Sequence, residues 1–280
     1  MFQPVIPSGG IAGWRFLERT LPSQTETFAN SPVNQRELDY FAEKIGDVVT
    51  AEQLVSDRRL RAVSLSAFGL QDDIDAIFFV RTILEEGTTE NDALANRLTD
   101  PRYRAMARAF GFDNAGPPNT QVPGFADRII DRFKAQTFEV AVGEQNESFR
   151  IALNAQRELA GIVEADGSDD SKWFRVLGTP PLRAFVEGAL GMPSQISQID
   201  LDQQLGEFRR RAAAMFGDGG SVASLVEPEN LERLTDLYIV REQARQGPFG
   251  GGAGGFNPAV TLLSSASAGF NPALSLLRGF

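Results

Sequence analysis

Two groups of carboxylates are the side chains of this 280-residue sequence best suited to chemistry: Asp72, Asp73 and Asp75, and then Asp166, Asp169 and Asp170. Clustered carboxylates can serve as general acid and base or can hold Ca²⁺. Neither group has the EF-hand spacing with its central Gly and final Glu. Both sit where helices begin, and there Asp is favoured because it caps free N–H groups and meets the positive end of the helix dipole. Capping is therefore the expected role. Arg102, Arg104 and Arg108, with Arg209–Arg211, could form a basic stripe, but interspersed acidic residues make them solvated helix faces instead. Gly250, Gly252 and Gly255 satisfy G-x-G-x-x-G. A dinucleotide site also needs a preceding strand, a following helix and an acidic residue ~20 positions on, and the sequence offers none of these there. No G-x-x-x-x-G-K-[ST] occurs, and no cofactor is expected.

Composition narrows the chemistry further. There is no His and no Cys, so His-based triads, thiol catalysis, disulfides and Cys/His zinc sites are excluded. A Ser-Lys or two-carboxylate enzyme remains allowed. The formal charge of −10 argues against a general nucleic-acid binder and against a polybasic membrane contact. Twenty-one Phe stand against 3 Tyr and 2 Trp, which suggests packing surfaces more than a polar ligand pocket. No run approaches the ~18 apolar residues of a membrane span, and residues 1–20 lack the pattern of a signal peptide. The expected location is the cytoplasm, with export lacking a cleaved signal left open.

The elements that must position these residues read as helices. Residues 1–32 form an arm in which Trp14, Leu17 and Leu21 recur at helical spacing, predicting a short helix over 12–20. The arm either packs on the body or orders against a partner. Pro32 opens a helix whose inner face is Leu38, Phe41, Ile45 and Val48. Thr50 and Gln53 read as a capping box. Leu60, Val63, Ala67 and Phe68 make a stripe that stops at Gly69. Ile74, Ile77, Phe78, Ile83 and Leu84 predict the next helix, ended by Gly87. Thr89 and Asp92 suggest a second, variant capping box before Leu94 and Leu98. Asp100 and Pro101 open a helix carrying Tyr103, Met106 and Phe110 to Gly111.

Residues 114–124, NAGPPNTQVPG, are not expected to form regular structure and mark either a long loop or a boundary. Helices are predicted over 125–141 and 145–163, with a turn at 166–171 and a last strong helix from Pro228. Residues 178–192 align without gaps on 56–70, and FRRRAAAMFGD (208–218) echoes YRAMARAFGFD (103–113). The expectation is all-α: a multi-helix bundle of two degenerate related halves, 33–113 and 125–246, followed by a Gly-rich apolar tail, 247–280. In that tail GFNPA occurs twice, at 255–259 and 269–273, each time before an apolar run, and the only charge is Arg278.

The stretches LVSDRRLRAVSLSAFGLQDDI (54–74) and ILEEGTTENDALANRLTDPRYRAMARAFGF (83–112), with GIAGWRFLERT and YFAEKI before them, resemble an alphaproteobacterial domain-of-unknown-function family encoded among flagellar genes. The resemblance spans most of residues 5–220 and implies an all-helical, non-enzymatic structural or assembly component of the flagellum. Its partners would be flagellar or motility proteins, or further copies of itself. It supplies no catalytic residue. A cytoplasmic export chaperone or regulator is the alternative, and a carboxylate-dependent enzyme a more distant one. With chemistry absent, the expected contact residues are those of the two ends: Trp14 and Leu17 in the arm, and Phe256, Phe270, Leu276 and Leu277 in the tail.

Overall fold

The computed structural model describes residues 3–246, and among them the chain is all-helical, with fourteen α-helices and no strand. Helix α1 (Gly10–Ala29) is longer at both ends than the 12–20 spacing predicts. It carries Pro22 in its interior, at the cost of one backbone hydrogen bond. Gln24 fastens the segment that precedes it, with the Val5 N–H donating to Gln24 Oε1 at 2.6 Å and Gln24 Nε2 donating to the Val5 carbonyl at 3.2 Å.

Helix α2 (Pro32–Lys44) tightens into a 3-10 turn at Ile45–Asp47, and Leu38, Phe41, Ile45 and Val48 are all buried as the spacing requires. The Thr50–Gln53 capping box forms and opens α3 (Ala51–Ser56). Asp57 caps α4 (Arg58–Ala67), accepting from the Arg59 and Leu60 N–H groups at 2.8 and 3.1 Å. Beyond it Gly69 has φ +71°, the left-handed conformation in which Gly is favoured.

Between α4 and α7, two details depart from the sequence reading. Residues 71–73 form a 3-10 turn, so α5 (Ile77–Glu86) begins three residues later than Ile74. That start turns Ile77 and Phe78 outward, 44% and 72% exposed, while Val80, Ile83 and Leu84 face the core. The Thr89–Asp92 capping box does not form, because Thr89 is taken by Asp113, and α6 (Leu94–Arg97) is a single turn. Helix α7 (Pro101–Phe110) starts on the expected Asp100 cap and ends at left-handed Gly111.

After the loop, α8 (Phe125–Gly143) absorbs the β-leaning TFEVAV, since its Phe138 and Val142 are buried on a helical face. Helix α9 (Glu147–Glu164) starts on an Asn146 cap. The turn read at 166–171 is shorter than expected: Ser168 caps α10 (Asp169–Gly178), which buries Trp173, Val176 and Leu177. Then come α11 (Pro180–Leu190), α12 (Leu201–Phe216), the single-turn α13 (Val222–Leu225) and α14 (Pro228–Gln246).

The buried side chains fall into two clusters. The first unites α2–α7 with Phe125, Ile129 and Phe133 of α8. The second unites α9–α14 with Phe138 and Val142 of the same helix, and with Trp14 and Leu17 of α1. The divide therefore runs through α8, and the N-terminal arm reaches across to the core furthest from it in sequence.

Candidate functional site

In the C-terminal half of α8, where the helix passes from one core to the other, a set of polar side chains meets. Its centre is Glu139, which is buried. Arg157 of α9 meets it side-on, with two donors from one edge of the guanidinium: Nε donates to Glu139 Oε1 at 2.7 Å and Nη2 to Oε2 at 3.0 Å. Nη2 also donates to Gln136 Oε1 at 2.7 Å, and Nη1 to Glu158. Burial alone would lower the Arg157 pKa, yet hydrogen bonding and charge from Glu139, helped by Glu158, outweigh it and hold the guanidinium above its ordinary value. Two parallel charge-assisted bonds of this kind fix geometry as well as charge.

The seam continues toward α4. Arg102 donates to the carbonyl of Gly69, and Arg132 lies over the ring of Phe68 at 4.7 Å. A Cβ on Gly69 would come within 2.7 Å of Gln136 Nε2. Gly69→Ala therefore meets both a side-chain clash and an unfavourable left-handed φ, and is expected to cost ~1–3 kcal/mol, read as a lower urea midpoint.

Elsewhere the carboxylates tie loops and helix ends. Asp113 accepts from the Thr88 and Thr89 N–H groups at 2.9 and 3.1 Å and from Thr89 Oγ1 at 2.7 Å, pinning the α5–α6 turn to the end of α7. Asp73 of the first Asp group accepts from the Tyr103 hydroxyl at 2.6 Å, and burial with that bond pushes the phenol up to about 12. In the second group, Asp169 accepts from the Val222 N–H at 2.9 Å and pairs with Arg209, as does Asp170. Asp169 and Asp170 do lie in the first turn of α10, whereas Asp72 and Asp73 belong to the 3-10 turn before α5. Among the described residues, no three acidic side chains are grouped as a metal ion would require.

The basic residues are similarly engaged. Arg104 donates to the Asn96 carbonyl at 2.9 Å, and Arg211 to the Gly191 carbonyl at 2.6 Å, where it helps cap α11. Arg210 pairs with Glu207 at 2.6 Å. Arg15 joins α1 to α14 through Glu232 at 2.7 Å and Asp236 at 2.5 Å, and also meets Glu18 at 2.9 Å. One cation among three acids leaves Asp236 partly uncompensated; burial, opposed by Arg15 and reinforced by Glu232, raises its pKa.

These shifts predict a pH response with two signs. The Asp57, Asp100 and Asp113 carboxyls sit below their ordinary range: burial opposes this, but hydrogen bonds from Tyr40, Arg102 and Thr88 respectively, with other donors, win. Their stabilisation is present above the unfolded pKa near ~4 and is lost as pH falls through the folded values. Asp236 acts oppositely, since its raised folded value loses stability as pH rises through it. The three lowered groups outnumber it, so thermal stability is expected to fall below pH ~4. Asp113→Asn should flatten that acid limb.

Of the expected contact residues, Trp14 and Leu17 are fully buried in the second core, so in this fold the protein's own side chains cover them. That corrects their reading as partner contacts in favour of an arm packed on the body. Phe256, Phe270, Leu276 and Leu277 lie outside the described residues. The seam itself was missed from sequence, because Glu139 and Arg157 are eighteen residues apart on different helices and neither departs from an ordinary amphipathic pattern.

Fold and site together define an all-helical protein whose interior polar groups join helices to one another. Residues 67–231, more than half of the chain, match DUF1217, a family described as a protein of unknown function, and the chain belongs to that family. A crystal structure of a protein from Agrobacterium tumefaciens, solved by structural genomics, is similar to it in fold: TM-score 0.68, 23% identity, covering 87% of this chain and 100% of that one. No protein of curated function matches the chain. No helix among the described residues is long and apolar enough to cross a membrane.

Proposed function

We propose that this protein is a non-enzymatic structural or assembly component of the bacterial flagellum that works through protein–protein contacts. The flagellar assignment rests on the resemblance carried by residues 54–74 and 83–112. The observation that carries the non-enzymatic reading is how the carboxylates are used. Glu139 is held by two bonds from Arg157, Asp113 by three donors from the Thr88–Thr89 turn, and Asp169 by Arg209 and the Val222 N–H. With both of its oxygens taken by fixed donors, Glu139 is poorly placed to exchange protons with a substrate, whereas Asp113 takes its three donors on Oδ2 alone. The same bonds make a stiff helical body, which suits a part that must hold its shape within an assembly.

The two halves are further proposed to be related by duplication. Helices α4 and α11 occupy matching places in the sequence repeat, and each is followed by a left-handed Gly, Gly69 and Gly191.

Fractionation of cells into cytoplasm, medium and purified hook–basal bodies tests the assignment. The protein is expected with the hook–basal bodies or in the medium, and a chain lacking residues 247–280 is expected to be lost from that fraction. A purely cytoplasmic pool would replace this reading with that of an export chaperone. Unchanged motility and fractionation in the truncated chain would remove the tail from the contact.

A further inference from the structure

The last turns of α14 form one wall of a cleft of about 510 Å³ that also borders α9 and α11. Ile151, Ala184, Met192, Pro193 and Tyr238 line it. Its charged rim is already paired, Glu187 with Arg183 at 2.7 Å and Glu242 with Arg245 at 2.6 Å. An uncharged occupant would therefore strand no ion. The wall is firm: the Tyr238 ring packs on Phe185 with centroids 5.0 Å apart, and Gly188 leaves no room for a Cβ beside it, the nearest ring atom being 2.8 Å away. A volume of this size accepts a few apolar side chains.

The segment after α14 fits the cleft in chemistry and in reach. Arg245 of the rim immediately precedes Gln246, the last described residue. Residues 247–280 contain a single charge, Arg278, and the twin segments GFNPAVTLL (255–263) and GFNPALSLL (269–277). We propose that the cleft between α9, α11 and α14 is a docking site for the chain's own segment 255–263, with Phe256, Leu262 and Leu263 as its apolar anchors. The eight residues 247–254 that separate it from α14 include five Gly. Gly-rich sequences of that length have a root-mean-square span of ~16 Å, and a tether of that reach corresponds to an effective concentration in the mM range. At such a concentration a site is filled even when its Kd for the free peptide is only sub-millimolar. The second segment is fourteen residues further on, and its effective concentration is lower because it falls steeply with linker length. Docking of this kind would leave the cleft occupied until a competing apolar segment displaced it, whether or not the protein serves the flagellum.

Amide hydrogen exchange on the full chain tests this. In the triple variant Phe256→Ser, Leu262→Ser, Leu263→Ser, amides of 184–194 and 238–245 are expected to exchange roughly three- to tenfold faster than in the wild type, as for a site filled at a few times its Kd. The rest of the body should be unchanged. The same acceleration is expected for Ala184→Glu, at an exposed residue of the cleft wall, and the difference should not depend on protein concentration. Equal exchange in the wild type and the triple variant would overturn the proposal. So would protection that grows with concentration alongside a dimer, which would make a second copy the occupant. Protection lost in Leu276→Ser, Leu277→Ser but retained in the triple variant would overturn the choice of segment.

Discussion

Glu139→Ala is expected to lower stability by about 3 kcal/mol, with a fall in Tm of roughly 6–12 °C, the largest effect of any single charge removal in the body. The cost comes from Arg157, which would keep its charge in a site only 27% open to solvent after losing the carboxylate bonded to Nε and Nη2, with Glu158 at Nη1 as its remaining acidic partner. That residual exposure places the expected loss at the lower end of the range for broken buried pairs. Removing both charges should be far milder. Glu139→Leu with Arg157→Met replaces the pair by apolar groups of similar volume and is expected to recover most of the stability, since a buried pair seldom surpasses good packing. Chemical denaturation of both single variants and the double variant gives the coupling directly. The position of the pair adds a second expectation. Helix α8 gives Phe133 to one core and Phe138 to the other, so weakening the seam between them should make unfolding less concerted. A single sharp transition with an unchanged midpoint in Glu139→Ala would show that apolar packing alone joins the two cores.

Trp14→Ala is expected to cost ~3–5 kcal/mol, the range for deleting a large buried aromatic side chain. Trp14 is wholly buried against Phe149, with an edge-on ring contact at 5.6 Å, and Leu17 fills the same core one turn on. Helix α1 is also held by Ile11, Leu21 and Phe28, which are partly buried against the same core, and by the half-exposed Arg15 cluster, which contributes little by comparison. The loss should therefore appear first as undocking of α1, seen as fast amide exchange and proteolysis over residues 10–29, and then as a weaker second core. The indole Nε1 is buried without a protein hydrogen-bond partner, so Trp14→Phe removes an unsatisfied donor and should be much milder. If Trp14→Ala and Trp14→Phe are equally benign, the arm is not part of the core.

Caps and stops were legible because they are local. Thr50–Gln53, Asp100–Pro101, Gly69 and Gly111 each act within a few residues, and the structure places all four as the sequence implies. The Phe78 error shows where locality ends. Ile77 and Phe78 satisfy a helical stripe on paper, yet the 3-10 turn at Gln71–Asp73 delays the helix and rotates them outward. Thr89 failed as a cap for the same kind of reason: Asp113, twenty-four residues away, offered it a better bond.

The two Asp groups divide along this line. The absence of His and Cys already excluded thiol nucleophiles, His-based triads and Cys/His zinc sites, because those reactions need particular atoms that this chain lacks. The helices and most of their ends were likewise written into the chain, since capping and φ preferences act between near neighbours. Which side chains meet was left to tertiary packing: Glu139 with Arg157, Asp73 with Tyr103, and Trp14 with a core more than a hundred residues distant. Those meetings depend on how helices pack across α8, and packing is set by the shape of whole faces, which no short stretch of sequence contains.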